Sequence, residues 1–287
     1  MTGPDLREEW AALLERRPTC REALEPYGAI LAAWATAPET PAGRLRWSAE
    51  ECRAVWRRGV PLLPEAAPAI PADAVEGLVG AALEFLAAVG EDVGALRRFV
   101  AAWDRGEIGP AGLFPARGRL AAPALSSATG LSPEALGFVA YAGLRPILAA
   151  WFAECRVHLT SDAWDLGVCP FCGAPPGFGD MAEDGRRQLA CYLCAGSWSF
   201  ARLQCPYCGS RSPNDLVRLQ GEAAEEGYLI GACHGCRGYL KELDRRVRWN
   251  AGSALVEDWG SPHLDVVARR RGYWRPIPTL IQLQPSV

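Results

Sequence analysis

The sequence predicts an α+β protein: a helical N-terminal domain, then two tandem rubredoxin-like or zinc-ribbon metal units, then a short C-terminal helix. Three observations carry that expectation. Helical periodicity runs from the first residues to about residue 160 and stops there. Four C-x-x-C pairs follow within 68 residues and hold eight of the eleven cysteines. The segments between those pairs carry turn residues flanked by short alternating runs, the mark of β-hairpins. The expected divisions are 1–160 for the helical domain, 161–200 and 201–255 for the two ribbons, and 256–287 for the closing helix and an extended tail.

In chain order, Asp5 to Arg17 sets Leu6, Trp10, Leu13 and Leu14 on one apolar stripe. Thr19-Cys-Arg-Glu22 and Ser48-Ala-Glu-Glu51 match the capping box, in which a hydroxyl and a carboxylate satisfy unpaired N–H groups at a helix start. Pro71 to Val89 reads as an Ala-rich helix, with Val93 to Trp103 following closely enough to pack antiparallel against it. Ser132-Pro133-Glu134 combines an N-cap with proline at the first helical position and opens a helix that runs toward His158 with a kink at Pro146. About seven helices are expected. Pro38 to Arg44, Pro61 to Pro71 and Gly109 to Pro123 read as connections.

The cysteine pairs are Cys169/Cys172, Cys191/Cys194, Cys205/Cys208 and Cys233/Cys236. A C-x-x-C turn presents two sulfurs from one loop, and two such turns supply the four thiolates of a tetrahedral zinc or a single iron. Four pairs therefore imply two mononuclear metals, pairing first with second and third with fourth. The first insert holds Gly177 to Met181 and Arg186 to Ala190 around Glu183-Asp184-Gly185. The second holds Leu216 to Leu219 and Tyr228 to Ile230 around a polar Gly221 to Gly227 turn. Gly173 and Gly209 sit where a left-handed residue frees backbone N–H groups toward sulfur. Gly196 and Gly238 lie one residue further on, so the second and fourth turns are expected to be less regular. A disulfide framework is the competing reading, but the mixed, acidic opening Met-Thr-Gly-Pro-Asp-Leu-Arg-Glu-Glu lacks the pattern of an export signal.

Beyond Cys236, Tyr239 to Leu243 reads as a strand. Ser261-Pro262 starts a last helix with Arg269, Arg270 and Arg271 at its negative dipole end, and Pro276 to Val287 reads as an extended tail.

Together these residues resemble the formate dehydrogenase accessory protein family, FdhE. The matching features are Cys-Pro-Phe-Cys-Gly-Ala-Pro-Pro at 169–176, Leu-Ala-Cys-Tyr-Leu-Cys with Trp198 behind it, Cys-Pro-Tyr-Cys-Gly at 205–209, Cys-His-Gly-Cys-Arg-Gly-Tyr-Leu-Lys at 233–241, and Glu-Asp-Trp followed by Leu-Asp and Gly-Tyr at 257–273. Leu144-Arg145-Pro146 extends the likeness loosely into the helical half. The resemblance implies a cytoplasmic assembly factor or chaperone that binds rubredoxin-type iron and contacts the catalytic subunit of a molybdenum or tungsten formate dehydrogenase. It favours iron over zinc. Asp265 matches the family's Leu-Asp pair, although a carboxylate in a first helical turn also follows from the dipole.

Other functions find less support. Three histidines, no glycine-rich phosphate loop and no nucleophile elbow leave acyl, phosphoryl and hydride transfer without players, so no catalytic residue is expected. A thiol oxidoreductase needs a thiolate at a helix start in a βαβ setting, which Gly- and Pro-flanked hairpin turns do not provide. A nucleic-acid zinc ribbon needs a basic face, whereas residues 160–260 hold ten Arg or Lys against thirteen Asp or Glu and the whole chain carries −3. No apolar run approaches the ~20 residues of a bilayer span. The expected partner is thus a protein, with Phe171, Tyr207 and Trp198 as contact candidates on ribbons too small to bury them, and Asp265 beside them. Cys20, Cys52 and Cys155 read as packing residues. Trp34, Trp56, Trp103 and Trp151 read as core, and His158, His234 and His263 as non-ligands.

Overall fold

The computed structural model describes residues 5–114, 123–219 and 225–278. The N-terminal half is helical: α1 (Leu6–Arg16), α2 (Arg21–Leu24), α3 (Tyr27–Thr36), α4 (Ala49–Trp56), α5 (Asp73–Ala88), α6 (Val93–Asp104), α7 (Pro123–Thr129) and α8 (Pro133–Trp151). Asp5 caps α1 by accepting from the Arg7 amide. At Ser48 the expected capping box forms in full, with the Ser48 amide on Glu51 at 2.7 Å and the Glu51 amide on Ser48 Oγ at 3.3 Å. The box expected at Thr19 does not form. Pro18 opens a 3₁₀ turn there, and Cys20 takes the cap position of α2 without a side-chain bond. The helix opened by Ser132 carries Pro146 inside and stops at Trp151, short of His158, which lies in a separate 3₁₀ turn. Helix α5 packs mainly on α8 and α3 and touches α6 only lightly. The expected turn at Gly221 to Gly227, the loop before Pro123 and the tail after Pro278 lie wholly or partly outside the described residues.

Six strands form one sheet in the order β3-β2-β1-β6-β5-β4: β1 (Pro176–Met181), β2 (Arg187–Cys191), β3 (Ser197–Phe200), β4 (Leu216–Leu219), β5 (Tyr228–Cys233) and β6 (Tyr239–Asp244). Each ribbon is an antiparallel three-stranded meander. The two join where β1 runs parallel to β6, with Gly179 opposite Glu242 and Met181 opposite Asp244. Gly179 and Gly231 leave room on both sides for the Glu242 side chain, whose carboxylate accepts from Arg187 Nε at 2.6 Å across the junction. Helices α9 (Ala254–Trp259) and α10 (Pro262–Arg270) close the fold.

Two cores result. The larger takes in the helices, the first cysteine quartet and α9, and its centre is aromatic: Trp259 lies 4.6 Å from Tyr27 and 5.7 Å from Trp34 by ring centroids. The smaller joins Phe178, Tyr228, Ile230 and Tyr239 of the sheet to Leu264 and Ala268 of α10. Among the described residues no helix is long and apolar enough to cross a membrane.

Candidate metal centres

The four C-x-x-C turns share one geometry. In each, the first cysteine's amide donates to the carbonyl five residues on: Cys169 to Ala174, Cys191 to Gly196, Cys205 to Ser210 and Cys233 to Gly238, all at 2.8–2.9 Å. The fifth residue of each is left-handed: Gly173 (φ 80°), Ala195 (φ 59°), Gly209 (φ 76°) and Arg237 (φ 61°). The second and fourth turns are therefore as regular as the others, contrary to the expectation from Gly196 and Gly238. Those glycines are needed for another reason. A Cβ on Gly196 would stand 2.5 Å from the Phe171 ring, and one on Gly238 would stand 2.6 Å from the Tyr207 ring. Each aromatic residue of a C-P-[F/Y]-C turn lies against the glycine of the turn that faces it.

The turns pair as their order suggests. Cys169 Sγ approaches Cys194 Sγ to 3.4 Å and Cys172 approaches Cys191 to 3.4 Å; Cys205 approaches Cys236 to 3.7 Å and Cys208 approaches Cys233 to 3.7 Å. Within each quartet all four sulfurs lie within 4.8 Å of one another. Metal–sulfur bonds of about 2.3 Å in a tetrahedron place sulfurs about 3.8 Å apart, so both cages are the right size for one metal bound by four thiolates. Neutral thiols gain little from such crowding. Burial pushes the Cys169 and Cys172 thiols well above their ordinary range, and Cys205 up to about 11. Burial also works against ionisation of Cys194, but hydrogen bonds from its three neighbours and the charge of Arg156 outweigh it and bring that thiol well down. Backbone amides at Leu193 and Cys194 point at Cys191 Sγ (3.3 and 3.4 Å), and that of Gly238 at Cys236 Sγ (3.4 Å), orienting the sulfurs. His234 stays out of the second cage; its Nδ1 meets Tyr273 Oη at 2.8 Å.

The first quartet is bolted to the helices. The Pro170 carbonyl accepts from Trp56 Nε1 and the Leu62 amide, both at 3.0 Å, and the Phe171 carbonyl from the Leu63 amide at 2.8 Å. Arg145 Nη1 donates to the Cys191 and Tyr192 carbonyls, and Arg156 Nη2 to that of Cys194 at 2.6 Å. The second quartet leans on the C-terminal segment, through Trp274 Nε1 to the Cys236 carbonyl (2.9 Å), and leaves Cys208 exposed.

The contact candidates are not where their role required. Phe171 and Trp198 are fully buried, Phe171 against Trp56 and Phe152, and Trp198 with Nε1 on the Leu166 carbonyl at 3.1 Å. Tyr207 is half-buried, its hydroxyl on the Pro176 carbonyl at 3.3 Å. These small ribbons are not isolated, and the helical half supplies the missing core. Asp265 is buried in an ion network, 2.7 Å from Lys241 Nζ and 2.8 Å from Arg275 Nη1, while Asp258 bonds the same cations at 2.9 Å each. Tyr239 donates to Asp265 at 2.6 Å, and Arg275 Nη2 reaches the Gly177 carbonyl. Sequence reasoning missed this network. The one signal available was that the chain's single lysine, Lys241, falls inside a strand otherwise suited to burial.

Fold and site together define a class: an α+β protein in which a helical half carries a sheet built from two four-cysteine ribbons. The comparisons narrow it. No family model matches the chain. Proteins called FdhE homologue are 33% identical over 155 residues in Stutzerimonas stutzeri, 31% over 168 in Pseudomonas aeruginosa and 31% over 151 in Aquifex aeolicus. These alignments take in 53%, 55% and 50% of this chain and 50%, 53% and 51% of the relatives, so the chain spans about half the length of the curated relatives it matches. The crystal structure of the FdhE protein from Pseudomonas aeruginosa superposes with a TM-score of 0.60 at 23% identity, covering 98% of this chain and 96% of that one. The likeness to FdhE thus holds in sequence over about half the chain and in fold over nearly all of it.

Proposed function

We propose that this protein is a non-enzymatic assembly factor that binds the catalytic subunit of a molybdenum or tungsten formate dehydrogenase in the cytoplasm. The observation that carries the reading is the pair of closed cysteine cages on an FdhE-like fold. Four protein thiolates leave no coordination position for a substrate, which suits a structural metal better than a catalytic one. Each cage holds one iron or zinc, through Cys169, Cys172, Cys191 and Cys194 in the first and Cys205, Cys208, Cys233 and Cys236 in the second. The bound metal would fix each pair of turns, and with them the outward faces of the ribbons, as a rigid surface for a polypeptide.

With Phe171, Trp198 and Asp265 buried, the contact is drawn from what the second ribbon leaves exposed. Leu203, two residues before Cys205, and Trp274, bonded to the Cys236 carbonyl, both present large apolar surface to solvent. Affinity purification from extract should recover the formate dehydrogenase catalytic subunit, and Leu203→Ser with Trp274→Ser should weaken recovery while elemental analysis still finds two metals per chain. Recovery of no dehydrogenase by the unaltered protein overturns the reading.

A further inference from the structure

We propose that the cavity between the helical half and the sheet binds a ring-bearing oxyanion, a molecule with a flat aromatic body and a carboxylate or phosphate group. The cavity measures about 920 Å³, within the ~300–1,000 Å³ of small-molecule sites. Its apolar wall is aromatic, formed by Tyr27, Trp34, Phe138, Tyr141 and Trp259, with ring centroids 4.6–6.5 Å apart. Such a surface favours a flat ring over a flexible aliphatic chain.

Unpaired polar atoms set this cavity apart. Among the described residues, five buried side-chain nitrogen or oxygen atoms have no hydrogen-bond partner, and four of them, Tyr141 Oη, Arg156 Nε, Ser253 Oγ and Arg275 Nε, belong to residues that line it. Native proteins leave few such groups unpaired, because each bears its full desolvation penalty. All four can donate a hydrogen bond, and the guanidinium nitrogens can do nothing else. The missing partner is therefore rich in acceptor oxygens.

Charge points the same way. Of the acids at the wall, Asp180 is paired with Arg245 at 2.8 Å, and Asp258 and Asp265 with Lys241 and Arg275. Arg145 and Arg156 also line the cavity, and among the described residues neither has a carboxylate within ion-pair distance. Arg145 is held in place, its guanidinium 5.6 Å from the ring centroids of both Trp34 and Tyr141 and its Nη1 on the Cys191 and Tyr192 carbonyls. Two arginines with no carboxylate partner among the described residues, one of them also serving the Cys194 thiolate, stand beside an aromatic wall with unpaired donors around them and match an anion that carries a ring.

The test uses the full, metal-loaded chain in calorimetric titration. Adenosine 5′-monophosphate and 2-naphthoate are the phosphate- and carboxylate-bearing probes, and adenosine and inorganic phosphate are controls that lack the charge or the ring. At least one charged ring probe should bind saturably, one per chain, and about tenfold more tightly than either control; which of the two binds identifies the oxyanion. Tyr141→Phe and Ser253→Ala delete unpaired buried hydroxyls, so the free protein's melting temperature should hold or rise, whereas probe affinity should fall about three- to tenfold, the worth of one hydrogen bond. A cavity filled by water alone would bind neither probe and overturns the proposal. Binding that both variants leave unchanged places the probe elsewhere and does the same.

Discussion

The two cysteine quartets are built on one plan and serve in different surroundings. Both use a left-handed fifth residue, an amide-to-carbonyl hydrogen bond across the turn and an aromatic ring against the opposing glycine. Yet all four cysteines of the first are buried within the larger core and gripped by Arg145, Arg156 and Trp56, whereas in the second Cys208 is exposed, Cys236 is half-buried, and the cysteines stand outside that core. A duplicated motif is thus a keystone in one copy and a surface feature in the other. Sequence spacing cannot distinguish the two, because burial is set by what the rest of the chain packs against.

The largest effect should come from removing one ligand of each quartet. Cys172→Ser takes a thiolate from a cage that helps form the helical core, and a structural zinc site is worth ~10–16 kcal/mol against a whole-domain stability of ~5–15 kcal/mol. Loss of helical circular dichroism and proteolysis throughout the chain are expected. Cys208→Ser should open the second ribbon alone, with cleavage confined to the region beyond residue 200 and helical signal retained. Equal damage from the two would dissolve the contrast.

The ion network tests how the second ribbon manages with its smaller core. Asp265→Asn leaves Lys241 and Arg275 short of a counter-charge inside the protein, a loss of about 3–5 kcal/mol, measurable by urea unfolding at pH 7. Burial pulls the Asp265 carboxyl upward, but the charges of Lys241 and Arg275 and the bonds from Lys241 and Tyr239 outweigh it and hold it below the ordinary range. A lowered carboxylate stabilises the fold above its unfolded pKa of roughly 3.9 and ceases to do so as pH falls through the lower folded value. The gap between Asp265→Asn and the parent should therefore be constant from pH 7 to about 5 and shrink below about 4. A gap that is independent of pH would show that shape, not charge, is what Asp265 contributes.

Adding one methyl group to each aromatic contact measures the difference in packing. Gly196→Ala drives a Cβ into the Phe171 ring, itself wedged between Trp56 and Phe152, and overpacking there should cost about 1–3 kcal/mol. Gly238→Ala meets Tyr207, whose half-buried ring has more freedom to shift, so the cost should be smaller. Thermal melts of the two variants compare them directly.

How much was legible in advance follows from the range of each signal. The two four-cysteine groups and their pairing were readable because C-x-x-C is local chemistry, and so were Ser48's cap, the hairpin around Gly185 and the pairing of Leu216 to Leu219 with the strand that starts at Tyr228. Thr19 misled because Pro18, one residue earlier, starts the turn first. The parallel joint of β1 to β6 and the Lys241–Asp258–Asp265–Arg275 network link residues far apart in the chain, and no periodicity records such pairings. Strand β3 and helix α9, at four and six residues, are too short to show a period. Phe171 and Trp198 were misplaced because their cover also comes from far along the chain or from outside the ribbon: Trp56 and Phe152 pack on Phe171, and the Leu166 carbonyl takes the Trp198 Nε1 bond.

The smallest effect bears on why the second and fourth turns tolerate side chains at a left-handed position. Ala195 and Arg237 both sit near φ 60°, a conformation that strains an L-residue by roughly 1–2 kcal/mol. Replacing either with glycine removes that strain and loosens the unfolded chain, which returns roughly 0.4–1 kcal/mol of the gain. For Ala195, with only a methyl group to lose, Ala195→Gly should be stabilising by a few tenths to about 1 kcal/mol. Arg237 is different. Its guanidinium lies 4.1 Å from the centre of the Tyr273 ring, and its Nη2 donates to the Arg271 carbonyl at 2.6 Å, tying the exposed quartet to the end of α10. Arg237→Gly forfeits both contacts, so it should be neutral or destabilising despite the same relief of strain. If Arg237→Gly stabilises as much as Ala195→Gly, the side chain contributes nothing there, and the second quartet is held by Trp274 and the sheet alone.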